Sequence, residues 1–525
     1  MSGVFESCLD LTSQGDMEGL LECISNTLES SQTLTTKNMN SYLLVLSGAL
    51  VFFMQAGFAM LCAGSVRRKN TQNTMLKNLL DACGAAVAFF FVGYAFAFGG
   101  DRVSGGGPSD PNRTGSTFLG AEQFVGTGDI DLPFYFFQYT FTAASVTIVA
   151  GTLAERCQMA AYLCYSFFLT GFIYPVVAHA GWSNYGFLSP ANSNPLLGIG
   201  MIDFSGSGIV HLTGGTTALY ATYILGSRRG RFYDATTGRP LDVPKPFPGH
   251  SVSLQMLGSF ILWFGWFGFN PGTALLLVDN PYQAEIGALC AVNTFLASSA
   301  GCISALVIKM FLRHRQTGEF SFDLVAAMNG ALTGLVSITA GCATVEPWAA
   351  IIVGLVGGAL YLGASDLLIK CKIDDAVDAV PVHGVGGIWG LLSVGLLSAP
   401  ERVRQAYGTN EHPGFFYSLS EGHSDASLLG CQVLGTLFIC GWTLVTMLPF
   451  FLWLNFMGWF RCESVQELVG LDIAYNLGAS HHGDAFKGED EDVKEEYLDA
   501  YERYRQTMRD GRAEPKPDAG TDSDS

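Results

Sequence analysis

Two histidines interrupt long apolar runs in this sequence. Both begin the pattern His-x-x-Gly-Gly, as His211-Leu212-Thr213-Gly214-Gly215 and His383-Gly384-Val385-Gly386-Gly387. Ionisable residues inside apolar segments are rare and most often functional, and a neutral imidazole donates from one ring nitrogen and accepts at the other. We expect the pair to line a narrow apolar path, with the glycines allowing helices to approach closely. The alternative is two buried histidines bonded to backbone carbonyls.

A carboxylate precedes each histidine. Asp203 lies eight residues before His211, about 12 Å along a helix, and Asp378 lies five residues before His383. A carboxylate at a pore mouth can attract a cation. Asp is also a common helix N-cap, and the residues after Asp203 suit a cap. We favour the structural role for both, without direct contact to an ion.

Aromatic residues are predicted near the same ends of several helices. They are Phe137 and Phe141, one helical turn apart, Trp182, and Phe269. A small cation stripped of water can be held over aromatic faces, and the hydroxyl of Thr273 can accept one hydrogen bond from it. Because 12% of the chain is aromatic, an aromatic belt at the membrane interface is the alternative.

These residues must be positioned by helices that cross a membrane. The 525 residues are 49% hydrophobic and only 14% charged, whereas a soluble protein has about 25% charged residues. Apolar runs long enough for spans predict an all-α polytopic membrane protein of eleven helices, over residues 41–63, 79–98, 134–154, 160–180, 199–225, 253–269, 286–312, 324–340, 349–369, 382–397 and 428–456. The two histidines fall five runs apart, and an odd offset predicts an inverted five-helix repeat with the site at its interface.

Basic residues set the predicted orientation. Loops that follow odd-numbered runs carry 15 Lys and Arg residues, while the N-terminal segment and the other loops carry 5. The excess predicts the N-terminus outside and the C-terminus in the cytosol, with no cleaved signal peptide. The glycosylation sequon at Asn112 then falls outside, as do Cys8 and Cys23, in a compartment where disulfides persist.

The charge distribution divides the chain into three regions. We expect an extracellular segment over residues 1–40, a membrane domain over 41–460 and an acidic cytosolic tail over 461–525. The tail holds 8 basic and 17 acidic residues and therefore half of the net charge of −18. Because the acidity is concentrated there, it does not indicate a particular partner. The negative net charge also argues against nucleic-acid binding. No nucleotide, catalytic-triad or HExxH motif occurs, and the 13 cysteines lack metal-ligand spacing. We therefore expect no enzyme activity, cofactor or metal.

Several stretches together resemble the ammonium transporter (Amt/Mep) family, and most closely its plant-type eukaryotic branch. The resemblance runs from about Ser41 to Gly478. Its motifs are Ala56-Gly57-Phe58-Ala59-Met60-Leu61, Gly151-Thr152-Leu153-Ala154-Glu155-Arg156, Asp203-Phe204-Ser205-Gly206-Ser207-Gly208-Ile209-Val210-His211, Trp263-Phe264-Gly265-Trp266-Phe267-Gly268-Phe269-Asn270-Pro271-Gly272, Asp378-Ala379-Val380-Pro381-Val382-His383 and Gly470-Leu471-Asp472.

The resemblance implies a function and a set of roles. It implies a homotrimer in the plasma membrane with one hydrophobic pore per subunit, taking up ammonium or methylammonium. Recruitment outside would involve Trp182, Phe141 and Thr273, where the family commonly has Ser, with Asp203 supporting the site without touching the ion. Phe141 and Phe269 would form the gate, and His211 and His383 the paired pore histidines. Only neutral ammonia and a proton would cross the dry pore. Potassium has no proton to release and could not cross in this way.

The resemblance also marks a departure and leaves alternatives. Plant-type relatives place a regulatory Thr shortly after the Gly-x-Asp motif, where this chain has Ala474, although the tail can still bind cytosolic regulators. Cys8 and Cys23 resemble cysteines that brace the trimer in plant relatives, within one subunit or between two. The alternative functions are an ammonium sensor on the same fold and a Rhesus-type channel for neutral gas, against which Trp182 argues.

Overall fold

The structure is a computed structural model built almost entirely of helices. It describes residue 8, residues 17–101, 116–235, 237–278, 280–409 and 411–476, and residues 502 and 506 of the tail. The sequon at Asn112 lies outside the described residues. Within the described part, no strand forms beyond three isolated bridges, as a chain rich in apolar helical runs predicts.

The structure has seventeen α-helices in its described part, several of them joined through π-turns. The first half contains α1 (Met17–Ser65), α2 (Thr71–Ala88), α3 (Tyr94–Phe98), α4 (Leu132–Thr152), α5 (Met159–Phe168), α6 (Tyr174–Trp182), α7 (Thr213–Leu225) and α8 (Val252–Thr273). The second half contains α9 (Gln283–Thr317), α10 (Leu324–Ile338), α11 (Pro347–Lys370), α12 (Gly386–Leu397), α13 (Pro400–Tyr407), α14 (Phe415–Ser420), α15 (Ser427–Phe456), α16 (Ser464–Val469) and α17 (Leu471–Asn476). Four π-turns lead into helices, Phe89–Gly93 into α3, Leu169–Ile173 into α6, Ser207–Leu212 into α7 and Val380–Val385 into α12.

Each of the eleven predicted apolar runs falls on one of these helical segments. By length and composition, eight segments of the described chain could cross a membrane, namely Met17–Ser65, Arg68–Phe98, Met159–Trp182, Val252–Leu276, Gln283–Thr317, Pro347–Lys370, Val380–Leu397 and Ser427–Phe456. The apolar α10 is shorter. The all-helical membrane fold is thus confirmed, while the count of eleven spans stays a prediction.

Two helix boundaries differ from the apolar runs. The first helix begins at Met17 rather than at Ser41, because no Gly or Pro occurs between Leu20 and Ser47 to end it. The fifth run was expected to be helical from Ile199, but the helical turns begin only at Ser207. Residues 199–206 instead form an irregular approach to the half-helix that carries His211.

Loops predicted to share one side of the membrane meet in an ion-pair network. Glu155 is fully buried and contacts Arg67 at 2.6 Å and Arg228 at 3.0 Å. Arg228 also bonds to Asp374, in the loop before the last π-turn, at 2.9 Å. Burial alone would raise the pKa of Glu155, but the charges of its two arginine partners outweigh burial and hold this pKa at about 2. The carboxylate is therefore ionised at neutral pH and ties the loops together.

The start of the tail packs against the same end of the molecule. Glu467 accepts hydrogen bonds from Arg461 at 2.8 Å and from the backbone of Arg229 at 2.7 Å. The carboxylate of Asp472 accepts the backbone N–H groups of Gln72 at 3.0 Å and Asn73 at 2.7 Å, at the start of α2. The tail and the odd-to-even loops thus lie on one side, as the charge pattern predicts.

Candidate functional site

The two histidines meet inside the molecule. Nδ1 of His211 lies 3.1 Å from Nδ1 of His383, and the two rings are nearly parallel, with centroids 5.2 Å apart. His211 is fully buried and His383 is 5% exposed. One Nδ1 must carry the proton and the other must accept it, so the rings adopt opposite tautomers when both are neutral. Nε2 of His211 has no hydrogen-bond partner in the described part of the chain.

Glycines bring the two half-helices into contact. A Cβ atom on Gly215 would lie 2.2 Å from the backbone nitrogen of Gly384, and a Cβ on Gly387 would lie 2.6 Å from the carbonyl oxygen of Ser207. Gly215 and Gly387 are the last residues of the two His-x-x-Gly-Gly motifs. Each motif therefore packs its final glycine on the other half-helix, and this close approach places the imidazoles within hydrogen-bond distance.

Asp203 holds the start of the first half-helix. Its carboxylate accepts the backbone N–H groups of Gly206 at 3.0 Å, Gly208 at 2.9 Å and Ile209 at 2.8 Å. The backbone turns at Gly206 with φ of 106°, a conformation that favours glycine. The carbonyl oxygen of Asp203 also accepts a hydrogen bond from Nε1 of Trp182 at 2.7 Å. Asp203 thus has the structural role favoured from sequence and orients Trp182 as well.

Asp378 is not the carboxylate that caps the second half-helix. Asp375 accepts the backbone N–H groups of Val377 at 3.2 Å and Val380 at 2.7 Å. Asp378 instead accepts hydrogen bonds from side chains, among them the hydroxyl of Tyr361 at 3.0 Å. Burial, with the nearby charge of Asp378, raises the pKa of Asp375 to about 7. The hydrogen bonds of Asp378 fit the structural role favoured from the sequence, but the cap itself is formed by Asp375, three residues earlier.

The aromatic residues form a continuous series that leads to the histidines. The ring of Phe141 lies 4.7 Å from Phe137 and 5.8 Å from Trp182, and it stacks on Phe269 at 4.0 Å. The ring of Phe269 in turn lies 5.6 Å from His211. The order along the path is therefore Trp182, Phe141, Phe269, His211 and His383. This arrangement is a cluster inside the helix bundle rather than a belt around it.

Thr273 lies one helical turn beyond Phe269 on α8. Its hydroxyl donates a hydrogen bond to the carbonyl oxygen of Phe269 at 2.9 Å, and the residue is 9% exposed. Because its one proton is used in this bond, the oxygen has only lone pairs to offer a second partner. Thr273 is thus fixed as an acceptor, which suits a ligand that donates hydrogen bonds.

Two further aromatic residues line this series, although we did not predict a role for them. Trp266 stacks on His211 at 5.1 Å and donates from Nε1 to the hydroxyl of Thr339 at 2.9 Å. Phe58 lies 6.2 Å from His383. Trp266 could have been found from its spacing, because residues three apart on a helix share a face and Trp266 lies three before Phe269. Phe58 gives no such signal, since α1 contacts the pore only through tertiary packing.

The predicted cysteines also pair. Cys8 and Cys23 form a disulfide within the single chain of this structure, and a bond between two subunits stays the untested alternative. Among the other cysteines in the described part of the chain, the thiols are free.

Known proteins share this sequence and this fold. Residues 42–480 match the model of the Ammonium Transporter Family. The chain is 39% identical over 488 residues to ammonium transporter 1 member 3 of Solanum lycopersicum, covering 91% of this chain and 99% of that protein. It is 38% identical over 464 residues to putative ammonium transporter 1 of Caenorhabditis elegans, covering 85% and 80%.

Solved structures agree with these relatives. A structure described as a sensor Amt protein superposes with a TM-score of 0.68 at 30% identity, over 83% of this chain and 98% of that one. Mep2 of Candida albicans superposes with a TM-score of 0.68 at 26% identity, over 85% and 91%. With a family model that matches most of its length and relatives of this similarity, the chain belongs to the ammonium transporter family.

Proposed function

We propose that this protein takes up ammonium through the path that runs from Trp182 to His383. The observation that carries the proposal is the 3.1 Å contact between the two imidazoles at the end of a dry aromatic series. A buried pair of groups that share a proton, next to rings that exclude water, suits a substrate that donates hydrogen bonds and can lose a proton. Methylammonium has the same chemistry and is a second substrate.

Recruitment takes place at the end of the path marked by Trp182. The cation lies against the faces of Trp182 and Phe141, where cation–π attraction replaces part of its hydration. One of its N–H groups donates to the hydroxyl of Thr273, which accepts because its own proton is already bonded to Phe269. Asp203 supports the site through the indole of Trp182 and does not touch the ion.

The stacked rings of Phe141 and Phe269 form the gate. With centroids 4.0 Å apart, they leave no passage between them, so the rings must separate when a substrate passes. Beyond the gate the walls are aromatic and imidazole rings, and an ion that enters loses its hydration without full replacement. That desolvation cost excludes an ordinary cation.

The histidine pair separates ammonium from potassium. Ammonium gives up one proton and continues as neutral ammonia, and the proton passes along the two imidazoles to the other side. The proton and ammonia then recombine, so one ammonium ion leaves the path for each one that enters. Potassium has no proton to give and cannot use this route.

The setting of this path follows from the charge pattern and the resemblance. We place the N-terminus, with the Cys8–Cys23 disulfide, outside the cell, and the tail and the loop network around Glu155 in the cytosol. The working form is a homotrimer in the plasma membrane, glycosylated at Asn112. We propose the same three regions as the sequence analysis, with the membrane domain over residues 41–460.

A sensor function is the second candidate. It is favoured by the similarity to a structure whose description is a sensor Amt protein, together with a tail that binds the loops through Glu467 and Asp472. A sensor would bind ammonium without supporting net uptake. Uptake by a cell that has no other ammonium transporter distinguishes the two functions.

The test is voltage-clamp recording in ammonium, methylammonium and potassium. We expect the wild type to carry current with ammonium and not with potassium. The double variant His211→Ala/His383→Ala should lose ammonium current or its selectivity over potassium. The matched control is His412→Ala, which removes a partly exposed histidine bonded to Asp425 and should behave as the wild type. If the double variant conducts ammonium with unchanged selectivity, the proposed route is wrong.

A further inference from the structure

A second cavity lies away from the path, between α1 and α2. Its volume is about 1190 Å³, above the 300–1,000 Å³ typical of small-molecule pockets. Apolar side chains form most of its wall, and polar ones gather at the end where the tail docks. The wall includes Phe52, Phe53, Ala56, Ala59, Met60, Met75, Leu76, Leu79 and Ala82, and the docking end includes Arg68, Gln72, His250, Asp472 and Tyr475.

The length of this groove matches one leaflet of a membrane. On α2 its wall runs from Thr71 to Ala82, a rise of eleven steps or about 16 Å. Half of the hydrocarbon core of a bilayer is about 15 Å. The side chains of Phe53 and Leu79 are 47% and 60% exposed, so the groove opens to the surface that faces lipid. Its shape and depth suit an acyl chain.

The polar groups divide into a charged mouth and a polar floor. Arg68 and His250 are exposed at the mouth, where Nδ1 of His250 lies 3.2 Å from the carbonyl oxygen of Val66. The carboxylate of Asp472, which lies there too, accepts two backbone N–H groups of α2. On the floor, Gln55 accepts a hydrogen bond from Thr147 at 2.8 Å, while its Nε2 has no partner among the described residues. The mouth therefore offers the guanidinium of Arg68, whose charge Asp472 offsets in part, to an incoming anion.

We propose that this groove binds an anionic phospholipid of the cytosolic leaflet. Its acyl chain would lie between α1 and α2, and its phosphate would contact Arg68, with His250 beside it. Guanidinium groups bind phosphate through paired, charge-assisted hydrogen bonds, and the cytosolic leaflet is the one that carries anionic lipids. The choice of leaflet rests on the proposed orientation; the occupancy of the groove does not.

The bound lipid would support the pore from behind. Gln55 lines the groove, and Phe58, three residues further along α1, lies 6.2 Å from His383. A filled groove holds α1 against the bundle at the depth where the neighbouring side of this helix meets the histidine pair. A ligand that binds only the folded protein also raises its stability.

Lipid binding by the purified full chain tests the proposal. Native mass spectrometry, with phosphatidylglycerol and phosphatidylcholine as the probes, counts bound lipid, and thermal melting with each lipid measures stabilisation. We expect Arg68→Gln to weaken phosphatidylglycerol binding about fivefold, which corresponds to ~1 kcal/mol per basic residue, and to leave phosphatidylcholine binding unchanged. Ala56→Phe should fill the groove and reduce the binding of both lipids.

Matched controls separate the groove from the general lipid surface. Arg313→Gln removes a basic residue at the end of α9, and Val445→Phe enlarges a 64% exposed side chain on α15; both should bind lipid as the wild type does. The transport-deficient His211→Ala/His383→Ala variant should also bind lipid normally, so failure of the transport route is distinguishable. If Arg68→Gln and Ala56→Phe match their controls, the groove is not a lipid site. If Leu79→Cys cross-links to a second copy, the groove is a subunit contact and the proposal is wrong.

Discussion

Replacing Asp203 by Asn tests whether its carboxylate positions the half-helix or binds the ion. Oδ1 of the carboxylate accepts a hydrogen bond from the backbone N–H group of Gly206, and Oδ2 accepts from those of Gly208 and Ile209, at 2.8–3.0 Å. Asn has one oxygen, so when it faces Gly208 and Ile209 the N–H group of Gly206 meets an NH₂ group. Asp203→Asn keeps the shape and removes the charge and one acceptor.

The magnitude follows from these three bonds. A hydrogen bond to a charged group contributes about 1 kcal/mol more than a neutral one, and a buried donor left unsatisfied costs about 1–3 kcal/mol. Two bonds become neutral and one is lost, so Asp203→Asn should destabilise the folded protein by about 3–5 kcal/mol. The matched control is Asp323→Asn, which caps α10 through a single N–H group, that of Ala326 at 3.0 Å. Asn caps nearly as well as Asp, so that variant should change stability very little.

Two assays read the outcome. Thermal melting of the purified protein should show a clear loss for Asp203→Asn and almost none for Asp323→Asn. Methylammonium uptake should fall for Asp203→Asn through a higher half-saturating concentration, because the backbone carbonyl that accepts from Trp182 is no longer held in place by the three bonds of the carboxylate. Unchanged melting with abolished uptake would mean that the carboxylate contacts the ion. Unchanged melting and uptake would mean that the three hydrogen bonds do not hold the half-helix.

Three further predictions concern other parts of the chain. Trp182→Ala should raise the half-saturating concentration for methylammonium about 2- to 30-fold, the equivalent of ~0.5–2 kcal/mol of cation–π attraction; an unchanged value would remove Trp182 from the recruitment site. Glu155→Gln should reduce the stability by about 3–5 kcal/mol and so lower the melting temperature strongly, because the buried Arg228 and the partly exposed Arg67 lose the carboxylate that balances their charges. The exposed Glu401→Gln is its control and should melt as the wild type does. Asp375 has its pKa raised to about 7 by burial and by Asp378, so the folded state binds this proton more tightly than the unfolded state. The stability should therefore fall as pH rises from about 4 to about 7. Asp375→Asn should reduce that fall in melting experiments across this range. An equal fall in the variant and the wild type would contradict the raised pKa of Asp375.

The sequence predicted the features that depend on local composition. Long apolar runs report membrane helices directly, so all eleven runs coincide with helical segments. The histidines stood out because ionisable residues are rare in such runs. The repeated glycines predicted close packing, which the contacts of Gly215 and Gly387 confirm.

Other features depend on how segments meet and were not predictable in this way. Phe58 joins the pore only because α1 packs against α4 and α8, and nothing in its own neighbourhood marks it. The π-turns at Ser207–Leu212 and Val380–Val385 lie where the two half-helices cross at the glycines, and the apolar pattern of the sequence does not distinguish them from α-helix. The helical part over residues 17–40 was not predicted, because the helices were predicted from apolar runs and this segment is polar.

The correct partner for Asp203 in the repeat is Asp375, and this changes how the site is understood. Asp203 lies eight residues before His211, and Asp375 lies eight before His383. Each carboxylate accepts backbone N–H groups at the start of its own half-helix. Asp378 lies five residues before His383, has no equivalent before His211, and bonds to side chains instead.

This pairing anchors both half-helices. Each eight-residue arm is helical only in its last part, from Ser207 and from Val380 onward, and the carboxylate holds the start of that part. Asp203 lies beside Trp182 at one end, and Asp375 follows Asp374 of the loop network at the other. The 3.1 Å contact between the imidazoles is therefore anchored through both carboxylates. Loosening either carboxylate should disturb the same contact between the imidazoles. The effects of Asp203→Asn and Asp375→Asn on uptake should therefore be non-additive in the double variant, although the two carboxylates lie on opposite sides of the molecule.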